Sequence, residues 1–351
     1  MESYSSWNTF LKYNIGDNSG HGSEKVELLL DDIGTFNKYV KTNYKNKLYD
    51  LNKNLLTPYY YCNEKKILLF GDSVKLTDED NKDTSCNILT NDNTLKHLKC
   101  LTLNNFNIDT ANLDLEKIDY LKVFWGNINL FQSNLKVSHD IEFCLNYNLT
   151  SINLPKLEYV NNDVKFLHLY NLTGLHFDNL KECKNLYITD CNTLDKLRSG
   201  LVKTKHFVVC NNDKLKNIEL KSLKWTKSLS VKDNKNLTTI DLSNLECCNK
   251  IYITNNPELT TINLSSLKDS VKVFIKNCPK LNELNMKSLE NIYNCLYLDS
   301  CHNFNLHDLN NLKYVDKCYL FNSLTNSCEK LNCRYNLVVI NGKTKRCLYS
   351  L

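Results

Sequence analysis

The chain has 351 residues, 42% of them hydrophobic, with 44 basic and 39 acidic residues, a net charge of +5 and no long run of one sign. That balance gives little support to a nucleic-acid or membrane-surface partner, and no stretch approaches the 18 consecutive apolar residues of a membrane span. Sixteen cysteines would permit a disulfide framework, yet the opening Met1-Glu2-Ser3-Tyr4-Ser5-Ser6-Trp7 lacks the basic and apolar parts of a secretory leader, so the expectation is a cytoplasmic protein with mostly free thiols, an extracellular surface being the alternative.

Residues 1 to about 22 carry Gly16, Gly20 and Gly22 among polar residues and show no periodicity, as in a loose tail. From Glu24 the apolar spacing is helical: Val26, Leu29, Leu30 and Ile33, then Phe36, Val40, Tyr44, Leu48 and Leu51, with Ser23 and Thr35 as N-caps. This predicts a short N-terminal α-helical cap within 1–66. The run Ile67 to Phe70 follows as an imperfect first rung, and residues 78–83 form an acidic loop.

The rest of the chain repeats itself. Leu229, Val231, Asn234, Leu237, Ile240, Leu242 and Leu245 are matched by Ile251, Ile253, Asn256, Leu259, Ile262, Leu264 and Leu267, and again by Val273, Ile275, Cys278, Leu281, Leu284, Met286 and Leu289. The unit length is 22. The first position of the motif falls at 101, 121, 141, 164, 186, 207, 229, 251, 273, 296 and 318, which predicts eleven coils in steps of 20 to 23 residues. Each coil needs two strands, one near 251–253 and one near 261–264, and buries its apolar side only against the coils above and below. With only nine glycines in the chain, Asn, Asp and Ser must turn the corners. The divisions read as 1–66 (tail and cap), 67–342 (β-solenoid) and 343–351 (C-terminal tail).

The stretch 237–267, LTTIDLSNLECCNKIYITNNPELTTINLSSL, resembles the receptor L-domain family. The resemblance implies a mainly β, right-handed parallel β-solenoid that displays a binding surface and contributes no catalytic residues. It covers 141–321 well and 101–140 loosely. The glycine turn of that family is replaced by Cys248-Asn249-Lys250 or Ser270-Val271-Lys272, and a leucine-rich repeat of the L-x-L-x-x-N type is the near alternative.

Two sets of residues follow from the register. Asn146, Cys191, Asn212, Asn234, Asn256 and Cys278 share one slot and should form a buried ladder inside a corner. The outward positions of the first strand run Glu142, Lys165, Tyr187, Val208, Ser230, Tyr252, Phe274, Tyr297 and Tyr319, flanked by Lys250, Lys272 and Lys317. The outward positions of the other strand are polar: Asn153, His176, Arg198, Glu219, Asp241, Asn263 and Asn285. Tyr187, Tyr252, Phe274, Tyr297 and Tyr319, with Lys250 and Lys272, are therefore the candidate binding residues for a protein or glycan partner; self-stacking of the rings, cover by the N-terminal helices and a plain spacer rod are the competing readings. The oligomeric state is left open, and no cofactor or metal site is expected, since no C-x-x-C pair occurs. The sequons at Asn148, Asn171, Asn236 and Asn263 follow from the repeat itself.

One enzyme-like pattern stands as a minor alternative. Phe70-Gly71-Asp72-Ser73 resembles the first block of the GDSL hydrolases, and Asp299-Ser300-Cys301-His302 has the spacing of their last. That would make Ser73 a nucleophile with His302 and Asp299 as base and orienting group, but the alternating βα pattern of such enzymes is absent.

Overall fold

A computed structural model of the chain describes residues 59–62, 67–70, 100–104, 110–113, 116–124, 128–299, 309, 311–321, 334–340 and 343–346. The predicted helices of the cap, the acidic loop 78–83, Ser73 and His302 lie outside these residues.

Within them the chain winds as a parallel β-solenoid with coils about 22 residues apart. The first strands of successive coils supply thirteen strands of one fifteen-stranded sheet. Its register is that of the repeat: Leu101, Leu121, Ile141, Val164, Leu186, Phe207, Leu229, Ile251, Val273, Leu296 and Cys318 stand opposite one another from strand to strand. Leu68 pairs with Leu101 at one end, and Val338 with Cys318 at the other. Both ends then reverse direction. Tyr59–Cys62 lies antiparallel on Ile67–Phe70, and Lys343–Arg346 lies antiparallel on Arg334–Ile340.

The short second strands form two sheets, of four and five strands, so nine coils carry both strands among the described residues. Among the described residues the rungs at 296 and 318 contribute long strands only. The interruption falls between Gly174–His176 and Lys196–Arg198. There the corner after the second strand is one residue short, with four steps from Leu197 to Leu201 against five from Ile218 to Leu223. Gly200 passes so close to the Asp178 carbonyl that a Cβ would sit 2.2 Å from its oxygen. Only glycine fits that approach.

The first strands are longer than the three-residue motif suggests, for example Glu182–Thr189 and Cys247–Thr254. Their burial explains the extra length. In Glu182–Thr189 the buried residues are Cys183, Leu186 and Ile188, so Lys184 and Asn185 face outward in succession and the strand bends between its halves. Each coil is thereby three-sided: two halves of one long strand and a short strand.

The other two corners are turns. In the first, a residue in the left-handed region (φ 54° to 58°) precedes the ladder slot at Leu145, His168, Asp190, Asn211, Asp233, Asn255 and Asn277. Asn and Asp tolerate that conformation best, which is why they replace glycine here. The chain then closes a turn in which Leu237 N donates to Asn234 O at 3.3 Å. The last corner is a second turn, Leu245 N to Leu242 O at 3.0 Å. Inside the coils, Phe131, Phe143, Phe166, Phe177 and Phe207 fill the early core, and Leu, Ile, Val and Met the later one.

Candidate functional site

The ladder residues Asn146, Asn212, Asn234, Asn256, Cys191 and Cys278 are all fully buried. Asn234 shows how the slot works. Its Nδ2 donates to Val209 O at 3.3 Å and Lys232 O at 2.9 Å, its backbone N donates to Asn256 Oδ1 at 3.1 Å, and its own Oδ1 accepts from Asn212 N at 3.0 Å. The amide ties three coils together by supplying partners for groups that the left-handed corner removes from the ladder. Cys191 donates more weakly to Phe166 O and Thr189 O while its backbone N donates to Asn212 Oδ1. The coil at 164 departs from the pattern. Leu169, also fully buried, holds the slot and separates Asn146 from Cys191.

A second buried polar column, not foreseen from the repeat, runs through the bend of the long strands. Ser138, Thr204, Thr226 and Ser270 donate there to carbonyls freed by the bend, as in Thr226 Oγ1 to Ser228 O at 3.2 Å and Ser270 Oγ to Cys248 O at 2.8 Å. Cys183 and Cys248 hold the same position, and Val160, Ile292 and Val315 show that it accepts apolar residues. This mixed usage hides the column from a motif search.

Cys144, Cys183, Cys191, Cys210, Cys247, Cys248, Cys278, Cys295 and Cys318 are free, and seven of these nine are buried. Burial pushes the thiols of Cys144, Cys183, Cys191 and Cys248 up to about 12, and that of Cys278 up to about 11. They are inert packing groups. Among the described residues no group of three or more His, Cys, Asp or Glu side chains is placed to hold a metal ion, and no helix is long and apolar enough to cross a membrane.

The aromatic residues predicted to face outward do share one face. Tyr252, Phe274, Tyr297 and Tyr319 are adjacent in register, half-buried, and form a continuous column with ring centroids 6.0, 4.4 and 6.0 Å apart. The Lys272 ammonium lies over the Tyr252 and Phe274 rings at 5.2 and 5.1 Å, and Lys232 over Tyr252 at 5.8 Å. Lys250 is exposed and opposite Lys272. Tyr187 stands apart, separated from Tyr252 by Val208 and Ser230.

The polar face carries structural duties. Asp241, Asn263 and Asn285 accept from the backbone N two residues on, fixing the following turn. Two sequon asparagines tie coils together, Asn171 Nδ2 donating to Tyr147 O and Asn236 Nδ2 to Asp213 O. Of the hydrolase-like trio, only Asp299 lies among the described residues. Its carboxylate accepts from the Tyr297 hydroxyl at 3.3 Å and pairs with Lys276 at 3.8 Å, a coil-to-coil contact.

The first half of the long strands presents a different surface. An open cleft of about 240 Å³ lies there, with Tyr159, Glu182, Lys184, Lys203, Lys205 and Trp225 in its lining. Lys181 stands over the Tyr159 ring at 5.6 Å and Lys203 over the Trp225 ring at 5.9 Å.

No family model matches the sequence, and no curated protein matches it. Among solved structures the chain is similar to a leucine-rich repeat protein from Eubacterium ventriosum ATCC 27560, with 12% sequence identity, 84% of this chain and 95% of that chain covered, and a TM-score of 0.22.

Proposed function

We propose that this solenoid is a non-catalytic recognition module, akin to the right-handed receptor L-domains, that binds a protein or glycan partner through the column Tyr252, Phe274, Tyr297 and Tyr319, with Lys250 and Lys272 beside it. The observation that carries the reading is the half-exposed state of four rings in unbroken succession. On a sheet face that needs only polar residues for solubility, a run of large amphipathic rings flanked by cations offers contact area at low conformational cost. Tyr187 extends this face without joining the column.

The competing reading is a spacer rod, favoured by the stacking of the rings on one another and by the coil-to-coil ion pairs elsewhere, such as Lys181 with Glu158 at 2.7 Å. Capture of partners from the native source by the wild-type chain, by a Tyr252→Ser/Phe274→Ser variant and by an Asn263→Ser control on the polar face separates the two. The module reading expects capture to be lost only in the ring variant. Equal capture by all three would leave the spacer.

A further inference from the structure

Several lysines near the turns of this solenoid face a carboxylate one coil away, as Lys136 faces Glu116 at 2.9 Å, Lys235 faces Asp213 at 2.8 Å and Lys313 faces Glu290 at 2.7 Å. Lys165 is held charged in the same way. Burial works against its charge, but Glu142 and Asp163 raise its pKa above the ordinary value.

Lys184, Lys203 and Lys205 line the cleft, Lys184 donating to Asn162 Oδ1 at 3.1 Å. Lys184, Lys205 and Lys227 occupy equivalent outward positions of three consecutive long strands, as the flanking pairs Cys183 with Thr204 and Thr204 with Thr226 fix, so Lys227 adjoins the lining. Adjacent strands are about 4.8 Å apart, so three ammonium-bearing side chains are stacked at that spacing. Lys203 stands in the neighbouring column. All four are exposed, and among the described residues none has a carboxylate within ion-pair distance, including Glu182, which is in register with Lys203. The imidazole of His206 registers the local field: burial, then the charges of Lys205 and Lys227, hold its pKa below the ordinary value.

Like charges directly opposite on a sheet destabilise it. Acidic residues at this spacing are used elsewhere in the same molecule to neutralise lysines, so the cost is avoidable and has been left in place. Tyr159 and Trp225 wall the cleft at its two ends, which makes it a linear trough running across coils.

We infer that this trough is a binding site for a polyanionic glycan, a sulfated or carboxylated polysaccharide lying along the stack over Lys184, Lys203, Lys205 and Lys227 between Tyr159 and Trp225. The class of polymer follows from the sheet. Backbone N–H and C=O groups of the long strands are engaged in the ladders between coils, so the face offers an extended peptide no main-chain partners for its own amides. A glycan bears anionic groups and hydroxyls that side chains alone can satisfy. The lysines supply unforked point charges, which suit a flexible row of anionic groups more than the planar two-point recognition that arginine provides. The site does not rest on the aromatic column, which lies on the other half of the long strands.

The test uses the full chain with a heparin-type sulfated oligosaccharide, its desulfated counterpart and a single-stranded poly(U) of similar charge as probes. The sulfated chain is expected to bind with an affinity that falls with salt, and a Lys205→Gln/Lys227→Gln variant to lose about tenfold or more. Lys205→Arg/Lys227→Arg should keep the affinity. Lys235→Gln/Lys313→Gln, which removes the same charge from paired positions, should change it less than about twofold. The double glutamine variant should melt no lower than wild type, which separates lost binding from lost folding. Absence of binding to the sulfated chain, equal loss in both glutamine variants, or tighter binding of poly(U) would each overturn the assignment. Tyr252→Ser should leave this binding intact, so the column and the trough fail or stand separately.

Discussion

The coils between 121 and 207 and those between 229 and 289 solve one packing problem in two ways. The early coils put aromatic rings inside: Phe131 meets Phe143 edge-on at 4.8 Å, Phe143 stacks on Phe166 at 5.9 Å, and Phe166 contacts Phe177 at 5.8 Å. Their steps vary from 20 to 23 residues, and Leu169 breaks their ladder. The late coils keep a step of 22, an aliphatic core and a ladder of Asn234, Asn256 and Cys278 with no apolar residue in the slot, and carry their rings outside. When each slot is filled by similar volumes, every coil meets the same neighbours and the repeat stays regular. A ring inside enlarges one coil, and its neighbours must adapt in length or side-chain size.

This contrast can be tested by substitution, starting with the core. Phe166→Ala, in the middle of the early ring cluster, should cost about 3 to 5 kcal/mol in equilibrium denaturation, because the flanking rings are held by coils on either side and cannot collapse into the space. Ile253→Val in the late core should cost about 0.5 to 1.5 kcal/mol. A small loss at Phe166 would mean that the early coils adapt freely.

Next is the ladder. Asn234→Ala leaves Val209 O, Lys232 O and Asn212 N without their side-chain partner and should cost about 1 to 3 kcal/mol. Asn234→Cys should be milder than Asn234→Leu, since Cys191 and Cys278 already occupy the slot beside asparagines. Leu169 sharpens that comparison: it stands where the ladder has already ended, and urea midpoints of the two variants would show whether an isolated Leu is tolerated inside the run as well.

Thr226→Val removes a hydroxyl that only donates, to Lys205 O and Ser228 O, and no ladder passes through it. A cost of about 0.5 to 1.5 kcal/mol is expected. An effect as large as that at Asn234 would equate the two polar columns. The smallest change belongs to the outer face: Tyr252→Ser should alter stability by about 1 kcal/mol or less, the ring being half in water, and thermal melts would reveal a structural role for the column if the loss were larger.

What could be learned from the residues alone follows the same division. The register came through from Leu101 to Cys318, because six apolar positions and one Asn or Cys slot per unit repeat in fixed order. The Asn slot was legible because one amide chemistry recurs there, and the outward rings because strand alternation places them. The bend column was not, since Ser, Thr, Cys, Val and Ile all serve where a carbonyl needs a donor or a bend needs only a small side chain. The interruption of the short-strand sheet coincides with a corner one residue short before Leu201, a change of spacing without a change of residue type. The cleft escaped for a geometric reason. Lys184, Lys205 and Lys227 form no run along the chain: they are 21 and 22 residues apart and become neighbours only when the coils stack.

The reversed strands at the two ends carry a consequence for growth. A stack of identical parallel coils is in principle a seed for its own continuation, since each terminal rung offers the next one a matching row of donors and acceptors. At Tyr59–Cys62 and at Lys343–Arg346 the outermost described strand runs against the rest, so a second molecule continuing the parallel winding end-on meets a rung of the opposite polarity. Among the described residues, what would otherwise be a uniform parallel stack thus closes in a hairpin at each end, and the repeat does not simply carry on across it.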